Sequence, residues 1–329
     1  MSANAPHVLV ASTKLDVATD EVVQLLAERG VRVSRLNTED YPFNSMLSTS
    51  IGGESGRIAV SFTSPPSPAV PLMGVTSVWY RRVRSAERPN GMTAGVYDFC
   101  LREARAALLG SVLALGGRCM NPPEKVWAAE YKPYQLATAQ AVGLAVPETV
   151  ITNDPDEVVA AFKRFGGQMI GKPCRTGYVD YGDGGHAIYT SQILEDHFSK
   201  VDAARLSPAI YQPLVPKLCD VRVTAVGDTL FVAEIDSQSD PAASVDWRRS
   251  VNPHLPHRVG SLPHEVEQQI RSLLRALGLS FGAVDLIRTP TNEYVFLEVN
   301  PSGQWLWVDD ILGFGITASV ADWLCGVRE

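Results

Sequence analysis

The chain predicts a mixed α/β and α+β fold, with a parallel sheet at its N-terminus and antiparallel sheets behind it. Three observations carry this. His7 to Ser12 is an apolar strand-like run, followed by a helix-like segment with apolar positions at Val22, Val23, Leu25 and Leu26, then by a second strand-like run from Val31 to Leu36; a β-α-β order makes a parallel sheet. Near the other end, Asp285 to Asn300 (DLIRTPTNEYVFLEVN) reads as two apolar runs about a turn containing Pro290 and Asn292, a β-hairpin. The length, 329 residues, suits roughly two domains or lobes around a cleft.

Taken in order, Asp16 or Thr19 caps the first helix and Gly30 stops it. The first turn, STKLDVATD, lacks the glycines of a dinucleotide-binding fold, which argues against a dehydrogenase. Residues 61–71 (SFTSPPSPAVP) read as a loop or irregular edge, Val78 to Val83 as a strand, and Thr93 to Leu115 as a long amphipathic helix ended by Gly116-Gly117. Asn121-Pro122-Pro123 marks a lobe boundary, and a short helix runs from Glu124 to about Glu130. Pro133 suits the first turn of a new helix to Val142, which places Lys132 at its mouth. Pro147 to Thr152 is strand-like, and Asp154-Pro155-Asp156-Glu157 opens a helix with a cap, a first-turn proline and acidic residues at its positive end. Met169 to Pro173 is a strand carrying Lys172, Cys174 to Gly185 a loop, and His186 to Thr190 another strand. From Ala209 strands dominate until a helix from Glu265 to Leu277.

Bulk properties narrow the function. Hydrophobic content of 45% and charged content of 20% are those of an ordinary globular protein. A net charge of −7 excludes a nucleic-acid carrier, which needs a basic surface. The longest apolar stretch, around Ala106 to Leu115, is too short to span a bilayer, and MSANAPHVLVAS has neither a basic start nor a long apolar core, so a cytoplasmic protein without membrane contact is expected. Five scattered cysteines without a CxxC pair suggest reduced, small hydrophobic residues rather than a zinc site or disulfide framework. His254 and His257 have a possible ligand spacing, but the surrounding prolines favour a loop.

The hairpin carries the strongest chemical signal. If Asp285 faces Glu298, the turn centres between Thr291 and Asn292, where the turn residues stand. Alternation then puts Glu298 and Asn300 on one face with Asp285 beside them. Two carboxylates inside an apolar hairpin need a compensating cation. Hard oxygen donors favour Mg²⁺, whose usual companion is a nucleotide phosphate. The second signal is Lys172 before a loop with Gly177, Gly182, Gly184 and Gly185, where backbone N–H groups and a lysine can approach phosphate oxygens. The loop does not fit the Walker pattern. Ala209 to Val215 is an apolar strand turning at Pro213; its backbone at Gln212 can meet an adenine edge while Leu214 and Val215 cover the ring. Asp220 and Arg222 share a strand face, and Asp246-Trp247-Arg248-Arg249 follows in a polar loop. Each arginine alone reads as a surface ion pair; together with Lys132 and Lys172 they make a site that neutralises a triphosphate.

This order of elements (Lys132, Lys172 with its glycine loop, Gln212–Val215, Asp220-x-Arg222, Asp246-Trp247-Arg248, Asp285, Glu298-x-Asn300) resembles the ATP-grasp superfamily of carboxylate–amine and carboxylate–alcohol ligases. VWYRR at 78–82, Lys172-Pro173, AIYT at 187–190 and FLEVNPSGQWLWVD at 296–309 look like the graspetide (microviridin-type) peptide macrocyclases. The resemblance spans nearly the whole chain, although many ATP-grasp hinges begin with glutamate where Gln212 stands. It implies an N-terminal pre-ATP-grasp domain over residues 1–120, a central lobe over 121–205 and a C-terminal lobe over 206–329, with ATP between two antiparallel sheets. It further implies ATP and Mg²⁺ as cofactors. ATP would be bound by Lys132, Lys172, Gln212, Leu214, Val215, Asp220, Gly184 and Gly185, and the metal by Asp285, Glu298 and Asn300. Catalysis would fall to Arg222, Arg248 and Lys172, through an acyl phosphate on a substrate side-chain carboxyl that a hydroxyl or amine of the same peptide displaces. The implied partner is a ribosomal precursor peptide with a leader and an acidic core, for which Arg81, Arg82, Arg84, Arg88 and Asp246 offer a contact surface. A symmetric homodimer is the default assembly. Two other readings stand beside this one: a ligase of the same fold that adds an amino acid to a protein or small molecule, and a non-catalytic nucleotide-binding partner.

Overall fold

A computed structural model describes residues 6–52, 58–175, 177–180, 185–252 and 254–327. Strand β1 (His7–Ser12), helix α1 (Val17–Glu28) and strand β2 (Arg32–Asn37) form the expected parallel unit, with Asp16 at the N-cap and Gly30 at φ +71° past the end. Where the sequence reads a loop or irregular edge at 61–71, the structure has a small antiparallel sheet: β3 (Met46–Ser50), β4 (Ala59–Thr63) and β5 (Val70–Pro71). Val60 and Phe62 alternate into the core on β4, a two-residue signal masked by the prolines beside it. Strand β6 (Ser77–Tyr80) then pairs with the free side of β1, α2 (Ala94–Ala114) follows with Thr93 as its cap, and β7 (Arg118–Met120) completes the order β2-β1-β6-β7, all parallel. The strand expected to reach Val83 stops at Tyr80, because Arg82 adopts a positive φ of 46°.

Helices α3 (Pro123–Ala129) and α4 (Lys132–Ala141) lead into a second sheet. It comprises β8 (Val150–Thr152), β9 (Met169–Pro173), then, past the hairpin β10 (Tyr178–Asp180) and β11 (Gly185–Ala187), β12 (Ser191–Ile193) and β13 (Ala209–Pro213). The order is β12-β9-β13-β8, antiparallel, and α5 (Pro155–Arg164) packs on it with Asp154 capping. The glycine-rich loop thus belongs to a hairpin, and the strand read as His186 to Thr190 is β11.

The third sheet, order β16-β15-β14-β17-β18, contains β14 (Cys219–Val226), β15 (Thr229–Ile235), β16 (His257–Val259), β17 (Phe281–Arg288) and β18 (Tyr294–Asn300), with α6 (His264–Leu277) between β16 and β17. Val221, Val223, Val284, Leu286 and Val299 face Ile270, Leu273, Leu274 and Leu277 of α6. Period-two alternation therefore turns Asp220, Arg222, Asp285 and Glu298 to the opposite face. Helices α7 (Leu306–Leu312) and α8 (Ile316–Cys325) fold back so that Trp305, Val320 and Leu324 share one core with Val8, Val22 and Leu26. Asn121, buried at φ +60°, seals this junction: its amide oxygen accepts from the Ser280 and Phe281 N–H groups, and its Nδ2 donates to the carbonyls of Phe281 and Pro301.

Candidate active site

Asp285 pairs with Glu298 across β17 and β18, as the sequence predicts. The next pair is Leu286 with Phe296, so Leu297 is a bulge and the turn centres on Thr291 rather than between Thr291 and Asn292. The bulge has a use. It frees the Leu297 carbonyl, which lies 3.5 Å from the Lys172 Nζ. The rest of this sheet edge is also occupied: the Phe296 N–H donates to Ala145 (2.8 Å), while Gln135 accepts from the Val299 N–H (3.0 Å) and donates to its carbonyl (2.8 Å). Gln135 is one turn along α4 from Lys132, so this pairing also sets the lysine opposite the acids. Lys132 Nζ reaches Glu298 Oε2 at 3.0 Å and the Arg175 carbonyl at 2.7 Å.

Four cations converge on the two carboxylates. Arg222, the cross-strand neighbour of Asp285, places Nη1 2.7 Å from both of its oxygens, while its Nε is buried without a partner. Arg248 makes a two-pronged pair with Asp246 (2.8 Å from Nε and from Nη2) and holds Nη1 3.5 Å from Glu298. Lys172 is 8% exposed; burial, with help from Lys132 and Arg248 and against Glu298, lowers its pKa to about 8. The two acids diverge. Burial pushes the Asp285 carboxyl up, with Glu298 adding and Arg222 opposing, whereas for Glu298 the surrounding Lys132, Arg248 and Lys172 outweigh burial and hold it below the usual range.

All of these groups except Arg222, which stands behind Asp285 and lines neither, line two adjoining clefts that share Lys172, Thr190, Arg248 and Glu298. The first, about 730 Å³, is walled by Ile170, Leu214, Val215, Ile287 and Leu297, an apolar slot fit for a planar ring. Gln212 lines it too, its Nε2 on the Thr149 hydroxyl at 2.8 Å. Of the backbone groups in this segment, the Leu214 N–H is spent on the Gln168 carbonyl at 2.8 Å, because the chain leaving β13 continues its pairing there. Asp220 stands in the same slot with Oδ2 2.6 Å from Lys217, a buried lysine that sequence reasoning passed over. The second cleft, about 1110 Å³, is walled by Lys132, Arg175, Tyr189 and Asn300.

Oxygen donors suited to Mg²⁺ are present: two facing carboxylates and, two residues along the strand, the Asn300 amide, whose Oδ1 already accepts from the Ser302 N–H at 2.9 Å. Among the described residues no three His, Cys, Asp or Glu side chains converge in a way that could hold a metal ion. Gly185 opens β11 opposite Asp180, and Gly184 lies outside the described residues.

Two expectations are corrected. Arg81 is not a surface contact: at 1% exposure it binds Asp16 (2.9 Å), the Gly303 carbonyl (3.0 Å) and Gln304 (2.9 Å), and its guanidinium lies 4.4 Å from the Trp305 ring. Its charge braces the turn that follows Asn300. Asp246 is buried, caps the Trp247–Arg249 turn and accepts from the Thr190 N–H at 3.2 Å, so it orients Arg248 rather than presenting a free carboxylate. Arg82 is half-buried and Arg84 exposed. Trp247 stacks on Trp307 (5.0 Å), which in turn meets His257 (5.3 Å), anchoring the Arg248 loop on α7. His257 is therefore a packing residue.

Residues 7–126 match the MvdD pre-ATP grasp domain. No curated protein matches the chain. Among solved structures, a Chryseobacterium gregarium RiPP-associated ATP-grasp ligase in complex with ADP and a leader and core peptide is 26% identical, with a TM-score of 0.90 over 98% of both chains. Macrocyclase MdnC of Microcystis aeruginosa MRC, bound with precursor peptide MdnA, is 28% identical at a TM-score of 0.87, over 98% of this chain and 100% of that one. The ATP-grasp ligase PsnB, complexed with minimal precursor, Mg and ADP, is 20% identical at 0.77 over 97% of each chain and shares the fold. With its cleft of two antiparallel sheets and its parallel-sheet pre-ATP grasp domain, the chain has the fold of an ATP-grasp ligase and is similar over nearly its whole length to RiPP-associated ligases and macrocyclases of that fold.

Proposed function

We propose that this enzyme uses ATP to close side-chain ester or amide rings in a ribosomally made precursor peptide with a leader and an acidic core. The observation that carries the reading is the convergence of Lys132, Lys172 and Arg248 on Glu298 at the seam of two clefts, one apolar and one polar and open, with Arg222 holding the facing Asp285 from behind. The apolar slot suits adenine and the seam the phosphates. The open cleft suits the peptide.

In this reading Lys132, Lys172 and Arg248 neutralise the phosphates, and Asp285, Glu298 and Asn300 hold Mg²⁺. When bound, the metal supplies charge neutralisation between phosphates. A peptide carboxylate attacks the γ-phosphorus, ADP leaves, and an acyl phosphate remains. A hydroxyl or amine of the same peptide then forms a bond to the acyl carbon, phosphate leaves, and the nucleophile's proton passes to solvent. Arg222 and Arg248 stabilise the transferring phosphoryl group and the tetrahedral oxyanion. Arg248, tied to buried Asp246, reaches the seam pre-oriented and costs little reorganisation. Gly184 and Gly185 belong to the phosphate-binding residues of this reading.

The domains of this reading are 1–120, 121–205 and 206–329. No helix among the described residues is long and apolar enough to cross a membrane, which supports a cytoplasmic enzyme. Homodimerisation would use α2, whose Val96 (51% exposed), Phe99 (57%) and Leu113 (55%) recur at helical spacing on an uncovered face. The test is mass spectrometry of the peptide encoded beside the gene after incubation with ATP: loss of one water per ring supports the proposal. An intact peptide joined to a free amino acid would favour the amino-acid-adding reading instead. Mild alkaline hydrolysis separates esters from amides.

A further inference from the structure

A third cavity, of about 470 Å³, sits in the pre-ATP grasp domain, beyond the carboxyl ends of β2 and β6. The strand order reverses there, β2 lying to one side of β1 and β6 to the other. Open parallel sheets receive ligands at such crevices.

The lining is of two kinds. Leu101, Ala104 and Leu108 of α2 form an apolar floor, and Arg84 and Arg105 stand at the exposed rim. Neither guanidinium makes an ion pair or hydrogen bond among the described residues. Tyr80, 5% exposed as a residue, lines the same cavity, and its hydroxyl, open to the cavity, makes no hydrogen bond among the described residues. Two unpaired cations and a donor O–H about an apolar floor leave an anionic group unsupplied. The chain carries a net charge of −7, so this local excess of cations runs against the protein as a whole.

The occupant follows from the chemistry. An arginine fork favours a planar carboxylate, and the aliphatic floor favours an apolar neighbour. Tyr80, on the cavity wall, lies within electrostatic reach of Glu130, which lines the open cleft. A chain lying across one could continue into the other. We infer that this cavity is a second docking point for the precursor peptide, taking an aspartate or glutamate next to an apolar residue, outside the side chains being joined. The inference rests on the function proposed above and extends it with a specific surface.

Fluorescence anisotropy of a labelled precursor peptide, with its acidic residues intact or changed singly to the amides, tests it against the wild-type enzyme, an Arg84→Gln/Arg105→Gln double variant and Tyr80→Phe. The arginines are exposed, so the double variant folds. The expected result is a Kd raised about tenfold in the double variant and a few-fold in Tyr80→Phe. One amide substitution in the peptide should give a similar loss with wild-type enzyme and no additional loss with the double variant. Unchanged affinity in the double variant overturns the inference, as does equal additional loss for every acidic position. If the double variant loses affinity for a small dicarboxylate such as glutarate but not for the peptide, the peptide is the wrong occupant. Failure of wild-type enzyme to bind or cyclise the peptide at all counts against the proposed function itself, and is distinguishable because it precedes any variant.

Discussion

Two arginine–aspartate pairs are buried in this chain, and they are built differently. In Arg81 with Asp16 the arginine is saturated: every guanidinium nitrogen is used, on Asp16, Gly303 and Gln304, and aromatic rings of Trp79, Phe281 and Trp305 surround the plane, while on the acid Oδ2 takes Ser12, Thr19 and Arg81 and Oδ1 has no partner among the described residues. In Arg222 with Asp285 it is not. One nitrogen serves both carboxylate oxygens, Nε has no partner, and a second carboxylate, Glu298, faces the pair across the hairpin. A saturated buried pair fixes structure, whereas a buried pair with unspent donors and a crowding like charge is poised for a ligand. Sequence alone assigned both arginines to function. Only the first is a brace, and it acts on the turn next to Asn300.

The largest effects should come from the poised site. Glu298→Gln or Asn300→Ala should lower Mg²⁺-dependent turnover by at least about a hundredfold, with the circular dichroism of the folded protein unchanged. Normal activity in both would remove the metal assignment.

Arg81→Met and Arg222→Met divide the pairs directly. The first leaves Asp16 buried and uncompensated, and should cost about 3–5 kcal/mol of stability in denaturant titration. The second should reduce kcat far more than it reduces stability, since Asp285 already has a raised pKa and can become neutral by protonation. Equal stability losses in the two variants would erase the distinction between brace and site.

Lys172 sharpens the comparison through pH. Its pKa in the folded protein, about 8, lies below the ordinary value of 10.5, so between these the unfolded chain binds more protons. Its contribution is therefore destabilising below about pH 8, and that penalty is relieved as pH rises toward 10.5. Phosphate binding needs the charged form. ATP affinity by calorimetry should fall as pH rises through about 8, with proton uptake on binding, and Lys172→Ala should weaken ATP and remove that dependence. A pH-independent affinity would take Lys172 out of the phosphate site.

A smaller effect is expected at Gln135. Gln135→Leu removes two hydrogen bonds to Val299, for about 1–3 kcal/mol, and loosens the helix carrying Lys132. The apparent ATP affinity should drop a few-fold. A loss of stability alone would make Gln135 a structural residue only.

Much of the site could be read from the chain because its signals are local. The hairpin, its Asp285–Glu298 pairing, Lys172 on β9 and Lys132 at the mouth of α4 follow from alternation, turn residues and a first-turn proline. What escaped depends on distant partners. The Leu297 bulge answers to Lys172, which is 125 residues away, and Arg81 looks like any surface arginine until Gly303 and Gln304 arrive 222 and 223 residues later. The sheet at 46–71 escaped for another reason: its short strands carry only two inward residues on β4 amid prolines.

The sequence by itself determined most of the strands and helices, outside the small sheet at 46–71, and which chemical types line up on the polar face of the C-terminal sheet, since periodicity of two and 3.6 is a property of neighbours along the chain. Tertiary structure alone decided which charges meet. Lys132 with Glu298, Arg248 with Glu298, and Arg81 beneath the Asn300 turn are set by how three sheets and their helices share cores, and burial then turns those meetings into shifted protonation and reserved hydrogen bonds.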